Sequence, residues 1–421
     1  MLTERPSRRA ARRLALTLCA AAALAACAGD DDALTPGRAG AARRDSAGVT
    51  IVEHHLADSS GANAWTLSPQ PLLRIGTVSG DSTQELYRVR GAGFLRGGRI
   101  AVAVDGAHEL RVYDSTGALV RTVGREGGGP GEFRTIRELW VLGGDSLAVY
   151  DSRLRRLTVF DDTGAVARST NYAVLADSVR GGILTELAGV LGDGRAVGFA
   201  TDTGGVMSGF QRDTGSVLVF DATGHVVARA GRAGAREMYF GRPVNTPRGP
   251  MMSLLSSPFA HNTLFAVGRD RIYLADNARY DVRVVAPDGV ERLALRADVP
   301  GLPLRDDDFR HFADSALGSE HHELLDRNVR AMREATPFDT LPALAALLVD
   351  ADDRLWVEEL ARPGSPTRRL AVYDRDGALV GTLALPSPLR LLGAAGDRVL
   401  VLRRGESDEE YVEVYGLTPA E

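Results

Sequence analysis

Two hydrophobic patterns take turns along the chain. The first is a period-2 strand running into a glycine turn, as in Leu110-Arg111-Val112-Tyr113-Asp114-Ser115-Thr116-Gly117. It returns at residues 157–164, 217–224, 282–289 and 370–377, and a truncated copy occupies 412–416. A short strand follows each complete copy, as at 118–123, and strand, glycine turn, strand reads as a hairpin. The second pattern lies upstream of each copy: a short run that is apolar on both faces, at 99–104, 146–150, 195–200, 271–275, 354–358 and 398–402. Alternation places one face of a strand against a core, whereas apolar residues on both faces place it between two layers. A further apolar strand precedes this run, as at 137–142 and 344–349.

Four strands per unit and six units predict an all-β chain, a six-bladed β-propeller. Aligned positions Tyr113, Phe160, Phe220, Val285, Tyr373 and Tyr415 are spaced by 47, 60, 65, 88 and 42 residues. A blade needs about 40–50 residues, so the excess predicts insertions in blades three to five. The longest, at 303–340, is expected to be helical, with Leu325, Val329 and Met332 on one face. The last copy stops too soon to supply its own outer strand. Leu72-Leu73-Arg74-Ile75-Gly76 resembles the outer strand Leu119-Val120-Arg121-Thr122-Val123-Gly124, so residues 72–76 are expected to close the final blade. Residues 49–53 and 65–67 are expected to add edge strands beside it.

The first 26 residues read as an export signal. Five Arg and one Glu precede an apolar run of 13 residues (14–26), too short to span a bilayer, and small residues lead into Cys27. Leu24-Ala25-Ala26-Cys27 resembles the lipobox of bacterial lipoproteins, which implies cleavage before Cys27 and lipid on its thiol. In that family Asp after the Cys favours the inner membrane. Here Ala28 follows, which implies the outer membrane. Residues 27–46 are then expected to be a flexible tether and 47–418 the propeller. Cys19 lies in the signal and Cys27 carries lipid, so no disulfide is expected.

The chain has 47 glycines in 421 residues, against a usual ~7%, as a turn-rich fold requires. All of its 50 basic residues are Arg. Loss of five Arg and one Glu on maturation takes the net charge from −5 to −9. An acidic body with no basic block outside the signal argues against nucleic acid as a partner. It also argues for tethering by lipid alone.

Residues Gly124-Arg125-Glu126-Gly127-Gly128-Gly129-Pro130-Gly131-Glu132-Phe133 resemble the inter-blade loop of NHL-type propellers, with a degenerate copy at 231–240. Over residues 47–418 the chain resembles the six-bladed propeller lipoproteins of bacteria. NHL-type propellers include peptide-processing lyases, RNA binders and interaction platforms, so the resemblance implies a fold and leaves the function open.

Candidate chemistry is sparse. Asp-Thr-Gly at Asp162, Asp202 and Asp213 matches the trio of aspartic proteases, but the first lies in a repeat turn, where Asp serves turn geometry. Gly127 to Gly131 lacks the Lys-Ser/Thr of a phosphate loop. In Glu320-His321-His322-Glu323 the two imidazoles are adjacent, and on a helix they point about 100° apart, unlike a zinc pair. Asp105, Asp151, Asp276 and Glu359 end the second strands on one face. Turned inward they would ring a channel cation such as Ca²⁺ or Zn²⁺, and turned outward each would cap its own loop. His108 and His261 are the histidines near those loops.

The chain is therefore expected to be a lipid-anchored, extracytoplasmic binding module for a protein, peptide or glycan, with no catalytic residue and no cofactor assigned. The alternatives are a divalent-metal-dependent hydrolase or lyase and a structural envelope protein.

Overall fold

The computed structural model describes residues 35–36, 41–56, 64–77, 84–172, 183–202, 209–240, 244–246, 249–251, 254–255, 259–317, 330, 333–334, 336–405 and 407–420. Cys27, the His321–His322 pair and the Leu325, Val329, Met332 stripe lie outside them.

Six antiparallel four-stranded units follow one another. Blade one is Val89–Phe94, Ile100–Val104, Glu109–Tyr113 and Leu119–Val123. Blade two is Ile136–Val141, Leu147–Asp151, Arg156–Phe160 and Val166–Asn171. Blade three is Ile183–Val190, Ala196–Thr201, Thr214–Phe220 and Val226–Gly234. Blade four is Thr263–Val267, Ile272–Asp276, Asp281–Val285 and Glu291–Ala297. Blade five is Leu344–Val349, Leu355–Glu359, Thr367–Tyr373 and Leu379–Pro386. Blade six takes Leu389–Ala395, Arg398–Arg404 and Glu410–Pro419 from the end of the chain.

The packing closes the ring. Separate apolar cores lie between blades one and two, two and three, three and four, four and five, five and six, and six and one. The second strands are sealed between neighbours, with Ile100 through Val104 buried at every position. Their double-sided apolar pattern reports this environment.

The hairpin turns follow from side-chain chemistry. Asp114 Oδ1 accepts the N–H groups of Thr116 (2.8 Å) and Ala118 (3.0 Å) and the Thr116 hydroxyl (2.7 Å), while Gly117 takes φ +86°. Asp161 and Asp221 repeat this geometry with Thr163 and Thr223. The threonine hydroxyl bonds hold all three carboxyls below the ordinary carboxylate pKa. Asp162-Thr163-Gly164 is thus the second half of a turn. Thr214 and Gly215 of the Asp213 trio open the third strand of blade three, with Asp213 just before it.

Blade six is completed from the other end of the sequence. Leu73–Ile75 is its outer strand, with Leu73 opposite Val414 and Ile75 opposite Val412. The rest of the N-terminal segment corrects the sequence reading. Val49–His54 joins blade four, parallel to Glu291–Ala297, two blades away from the expected position. Ala41–Ser46, assigned above to the tether, is a strand antiparallel to it. Ala64–Leu67 bridges the outer strand of blade five and the end of Glu410–Pro419. The N-terminal segment therefore binds the outer edges of blades four, five and six together.

His54 fastens this belt. It is buried, its ring centroid lies 5.0 Å from that of Tyr373, and Nε2 is 2.9 Å from the Gly377 carbonyl. Burial pulls its pKa below the ordinary 6.5, against the opposing effects of the Gly377 bond and Asp374. The folded chain therefore resists a proton that the unfolded chain accepts, and stability present above pH 6.5 is lost as the pH falls. Melting near pH 5 should be lower than near pH 7.5, and His54→Asn should flatten part of that slope. An unchanged slope in the variant would remove His54 from the account.

Extra segments crown one face. Gly209–Gln211, Met238–Phe240 and Leu254–Leu255 form a small sheet between elements of blades three and four. The helix Asp306–Leu317 lies between blades four and five. It buries Phe309 with Phe259, Leu304 and Leu341 in a core of its own.

Candidate functional site

Every inner strand begins on the crowned face, where every second strand ends. Ile136 opposes Asp151, Thr263 opposes Asp276 and Leu344 opposes Glu359. The acids singled out from the sequence do share this mouth face. Their side chains are used individually.

Asp151 is 1% exposed. It accepts N–H bonds from Arg134 (2.6 Å), Thr135 (3.0 Å), Arg153 (2.9 Å) and Leu154 (2.8 Å). One carboxylate thus ties the loop before the inner strand to the loop after the second strand. Asp105, equally buried, accepts the N–H of Ile136 in the next blade (2.8 Å) and pairs with Arg88 (2.8 Å) and Arg90 (3.2 Å). Glu410 does the corresponding work between blades six and one, taking the Val89 N–H at 2.6 Å. Asp276 departs from this scheme: it is half-exposed and pairs with Arg212 at 2.7 Å. The next residue, Asn277, makes the loop bonds, accepting from Asn262 N–H and donating to the Ala260 carbonyl. Glu359 lies 3.6 Å from Arg369, and burial pushes its carboxyl pKa up. Among the described residues no three His, Cys, Asp or Glu side chains are grouped as a metal would require.

The histidines are also separate. His108 occupies a turn of blade one at φ +57°. His261 stacks on Phe338 at 4.5 Å and its Nδ1 lies 3.2 Å from Glu237 Oε1. The glycine loop turns its polar groups inward: Glu132 accepts the Gly129 N–H (2.7 Å) and Arg156 donates to the Gly128 and Gly129 carbonyls (both 2.8 Å). Phe133, at the end of that loop, is fully buried between blades one and two.

What does converge on the axis was not singled out from the sequence. The inner strands of blades one, two, three and five skip one residue in their pairing near the mouth, at Arg90, Arg137, Thr185 and Ala345. A bulge at this place bends the strand and re-aims the neighbouring side chains. Glu138 and Glu186 stand just after the bulges of adjacent blades. Arg390 stands at the start of the inner strand of blade six.

These groups share one electrostatic environment. Burial raises the Glu138 carboxyl, and Arg137, Arg390 and Arg90 pull against it while Glu186 adds to it. Burial raises Glu186 as well, opposed by Arg137. Burial lowers Arg390, opposed by Glu410 and Glu138. Glu186 and Arg390 are nonetheless exposed to water. Water access with protein on most sides describes groups lining a recess. Below the mouth the inner strands close on one another: a Cβ on Gly93 would lie 2.5 Å from Val141, and one on Gly189 would lie 2.4 Å from Val267. The recess is therefore polar at its opening, and neighbouring inner strands pack tightly on one another below it. Its signal in the sequence was a charge inside an otherwise apolar inner strand, as in Ile136-Arg137-Glu138-Leu139.

Exposed aromatics flank this opening. Tyr87, 65% exposed, precedes the inner strand of blade one, and Phe312 projects from the helix.

Comparison with known proteins gives the fold and little more. No curated protein matches the chain significantly. An exported protein of Bacteroides fragilis aligns over 88% of this chain and 99% of its own, at 12% identity and a TM-score of 0.48. A Bacteroides vulgatus protein of an uncharacterised domain family covers 85% and 99% at 9% identity and a TM-score of 0.41. Virginiamycin B lyase of Staphylococcus aureus covers 84% and 99% at 10% identity and a TM-score of 0.35. Residues 84–182, which hold blades one and two, match the model of a family described as 6-bladed beta-propeller, and the chain itself is a β-propeller of six blades.

Proposed function

We propose that this chain is a lipid-anchored extracytoplasmic binding module that takes a protein, peptide or glycan ligand on its mouth face. The observation that carries this reading is the polar mouth, where Glu138, Glu186, Arg137 and Arg390 stand near the mouth ends of the inner strands of blades two, three and six, with Tyr87 and Phe312 exposed on the same face. Charged groups kept partly dehydrated at an open mouth cost stability, and a ligand of matching charge offsets that cost.

The anchor and the recess share a side. Ala41 opposes His54, and His54 lies beside Ala297, where the outer strand of blade four reaches the mouth face. The chain joins the propeller there. Thr35–Pro36 pairs with Ala42–Arg43, so residues 28–34 can reach no farther than about 25 Å. With Cys27 lipidated, the mouth stays close to the bilayer surface, and the outer membrane is its expected site.

The test is photo-crosslinking in intact cells. A crosslinker at Tyr87, on the mouth, should capture a discrete partner, and one at the exposed Val290, on the opposite face, should not. Cys27→Ala should release the chain from the membrane fraction and reduce the capture. Equal capture from both faces, or none from Tyr87, would overturn the reading.

A further inference from the structure

One histidine on the crowned face is held in a single orientation. His261 belongs to the connection between blades three and four. Glu237 gives it both carboxylate oxygens: Oε2 accepts the His261 backbone N–H at 3.0 Å, and Oε1 lies 3.2 Å from ring Nδ1. The Glu237 N–H donates in return to the His261 carbonyl at 2.9 Å. An ionised carboxylate only accepts, so Nδ1 carries the ring proton and Nε2 of the neutral imidazole presents a lone pair. Phe338, from the helical insertion between blades four and five, stacks on the ring at 4.5 Å and 30°. Nε2 takes no partner among the described residues, and 22% of the side chain is exposed.

The main chain beside the ring is already engaged. Asn277 donates from its side chain to the Ala260 carbonyl at 3.3 Å and accepts the Asn262 N–H at 2.8 Å. Its own N–H donates to the Asn262 carbonyl at 2.9 Å. With both peptide groups of His261 bonded to Glu237, an extended peptide finds no ladder to join here. What the loop still offers is the ring and the aromatic faces around it. Phe259, two residues earlier, meets Phe309 at 5.2 Å and Phe312 at 6.3 Å, and Phe338 packs on the same cluster. Phe312 remains 39% exposed. The helix that carries it is pinned, by Asp308 on Arg362 and by Asp306 on Arg333 at 2.8 Å.

We infer that the junction of the two insertions is a glycan subsite, where a sugar chain lays a C–H face on Phe312 and donates a hydroxyl to His261 Nε2. The inference rests on the binding-module reading and names the ligand class of its mouth face. A sugar ring supplies both parts at once, an apolar face for an aromatic side chain and hydroxyl donors around its edge. Ligand sites pair apolar walls with a few placed polar groups in this way. An acceptor that is already fixed loses little rotamer freedom when the ligand arrives. Glu237 is a positioning residue: it keeps the proton on Nδ1, and without it the ring is free to present an N–H in place of the lone pair.

Calorimetric titration of the full chain with maltohexaose, cellohexaose, chitohexaose and hexagalacturonate tests this. At least one should bind. His261→Phe keeps an aromatic ring against Phe338 and removes the acceptor, and it should weaken that sugar at least about tenfold. Phe312→Ala, at an exposed position, should fold as the parent does and weaken the sugar by a similar factor. Long-range ¹H–¹⁵N spectra of the imidazoles give a second readout. His261 Nε2 should appear as an unprotonated ring nitrogen and should shift when the sugar is added. Glu237→Gln should mix the two tautomers in the same spectrum and weaken the sugar, which a merely structural role would not do. No binding by any of the four sugars, or binding that His261→Phe and Phe312→Ala both leave unchanged, overturns the proposal. If a crosslinker at Tyr87 still captures a partner while no sugar binds, the glycan is wrong and the binding module stands.

Discussion

Asp151→Ala is expected to destabilise the propeller by about 4 kcal/mol, because it strands four partly buried donors at once. The carboxylate accepts four backbone N–H groups, from Arg134, Thr135, Arg153 and Leu154, all at 2.6–3.0 Å. Each buried N–H left without a partner costs about 1–3 kcal/mol, and some of that is recovered when water enters. Asp151→Asn should rescue little. Asn keeps one acceptor oxygen and turns an NH₂ against two of the donors. Asp276→Ala is the control. That side chain is half-exposed and pairs with Arg212, so its loss should cost under about 1 kcal/mol. Denaturant unfolding of the three variants against the parent measures this. A loss below about 1 kcal/mol for Asp151→Ala would refute the capping role.

Ile75→Asp is expected to open the ring. Ile75 is 1% exposed and sits in the core between blades six and one, with Leu86, Leu400, Val412 and Val414. Removing its apolar contacts and burying a charge among them should cost about 4 kcal/mol or more. Shortening the chain to begin at residue 78 is the harsher form of the experiment. It leaves Val412-Glu413-Val414 unpaired on their outer edge, with Leu400-Val401-Leu402 as their one partner strand. It also removes the Arg74 guanidinium that holds the fully buried Glu413 at 2.7 Å. Arg403 at 3.0 Å and the Tyr415 hydroxyl at 3.1 Å would remain, too few to settle that charge in an opened edge. An unpaired edge of this kind recruits other chains. The shortened protein should therefore run as oligomers in size-exclusion chromatography and melt well below the parent. A monomer that melts with the parent would show that three strands suffice for blade six.

These two variants act on the same problem. A propeller stores its stability in the seams between blades, and each seam is an independent apolar core. Asp151 ties the loops of one blade together, whereas Asp105 and Glu410 carry a hydrogen bond from one blade to the next. Ile75 joins the first part of the chain to the last. Glu138 and Glu186 have no such role, and this separates them from the structural acids. Asp105 and Asp151 recur by repeat position, and their bonds account for them. Glu138 and Glu186 fall inside strands and take no hydrogen bond from a described residue, whereas Arg390 donates to the Val89 carbonyl of blade one at 3.2 Å.

The repeats, the doubled apolar pattern of the second strands and the Asp-x-Thr-Gly turns were enough to read the propeller, its blade number and the closing role of residues 72–76. They are legible because each is local: a strand's period reports its own two faces, and a turn's Asp bonds to atoms two and four residues away. The expected export signal rests on the same kind of local reading, a contiguous stretch of charge, apolar run and small residues. The course of the N-terminal belt was not. Ala41–Ser46 has the composition of a tether, and it becomes a strand because Val49–His54 offers it an edge on blade four, hundreds of residues later in sequence. The recess was hidden for a related reason. Glu138, Glu186 and Arg390 are far apart in the chain, and only ring closure brings blades two, three and six around one axis.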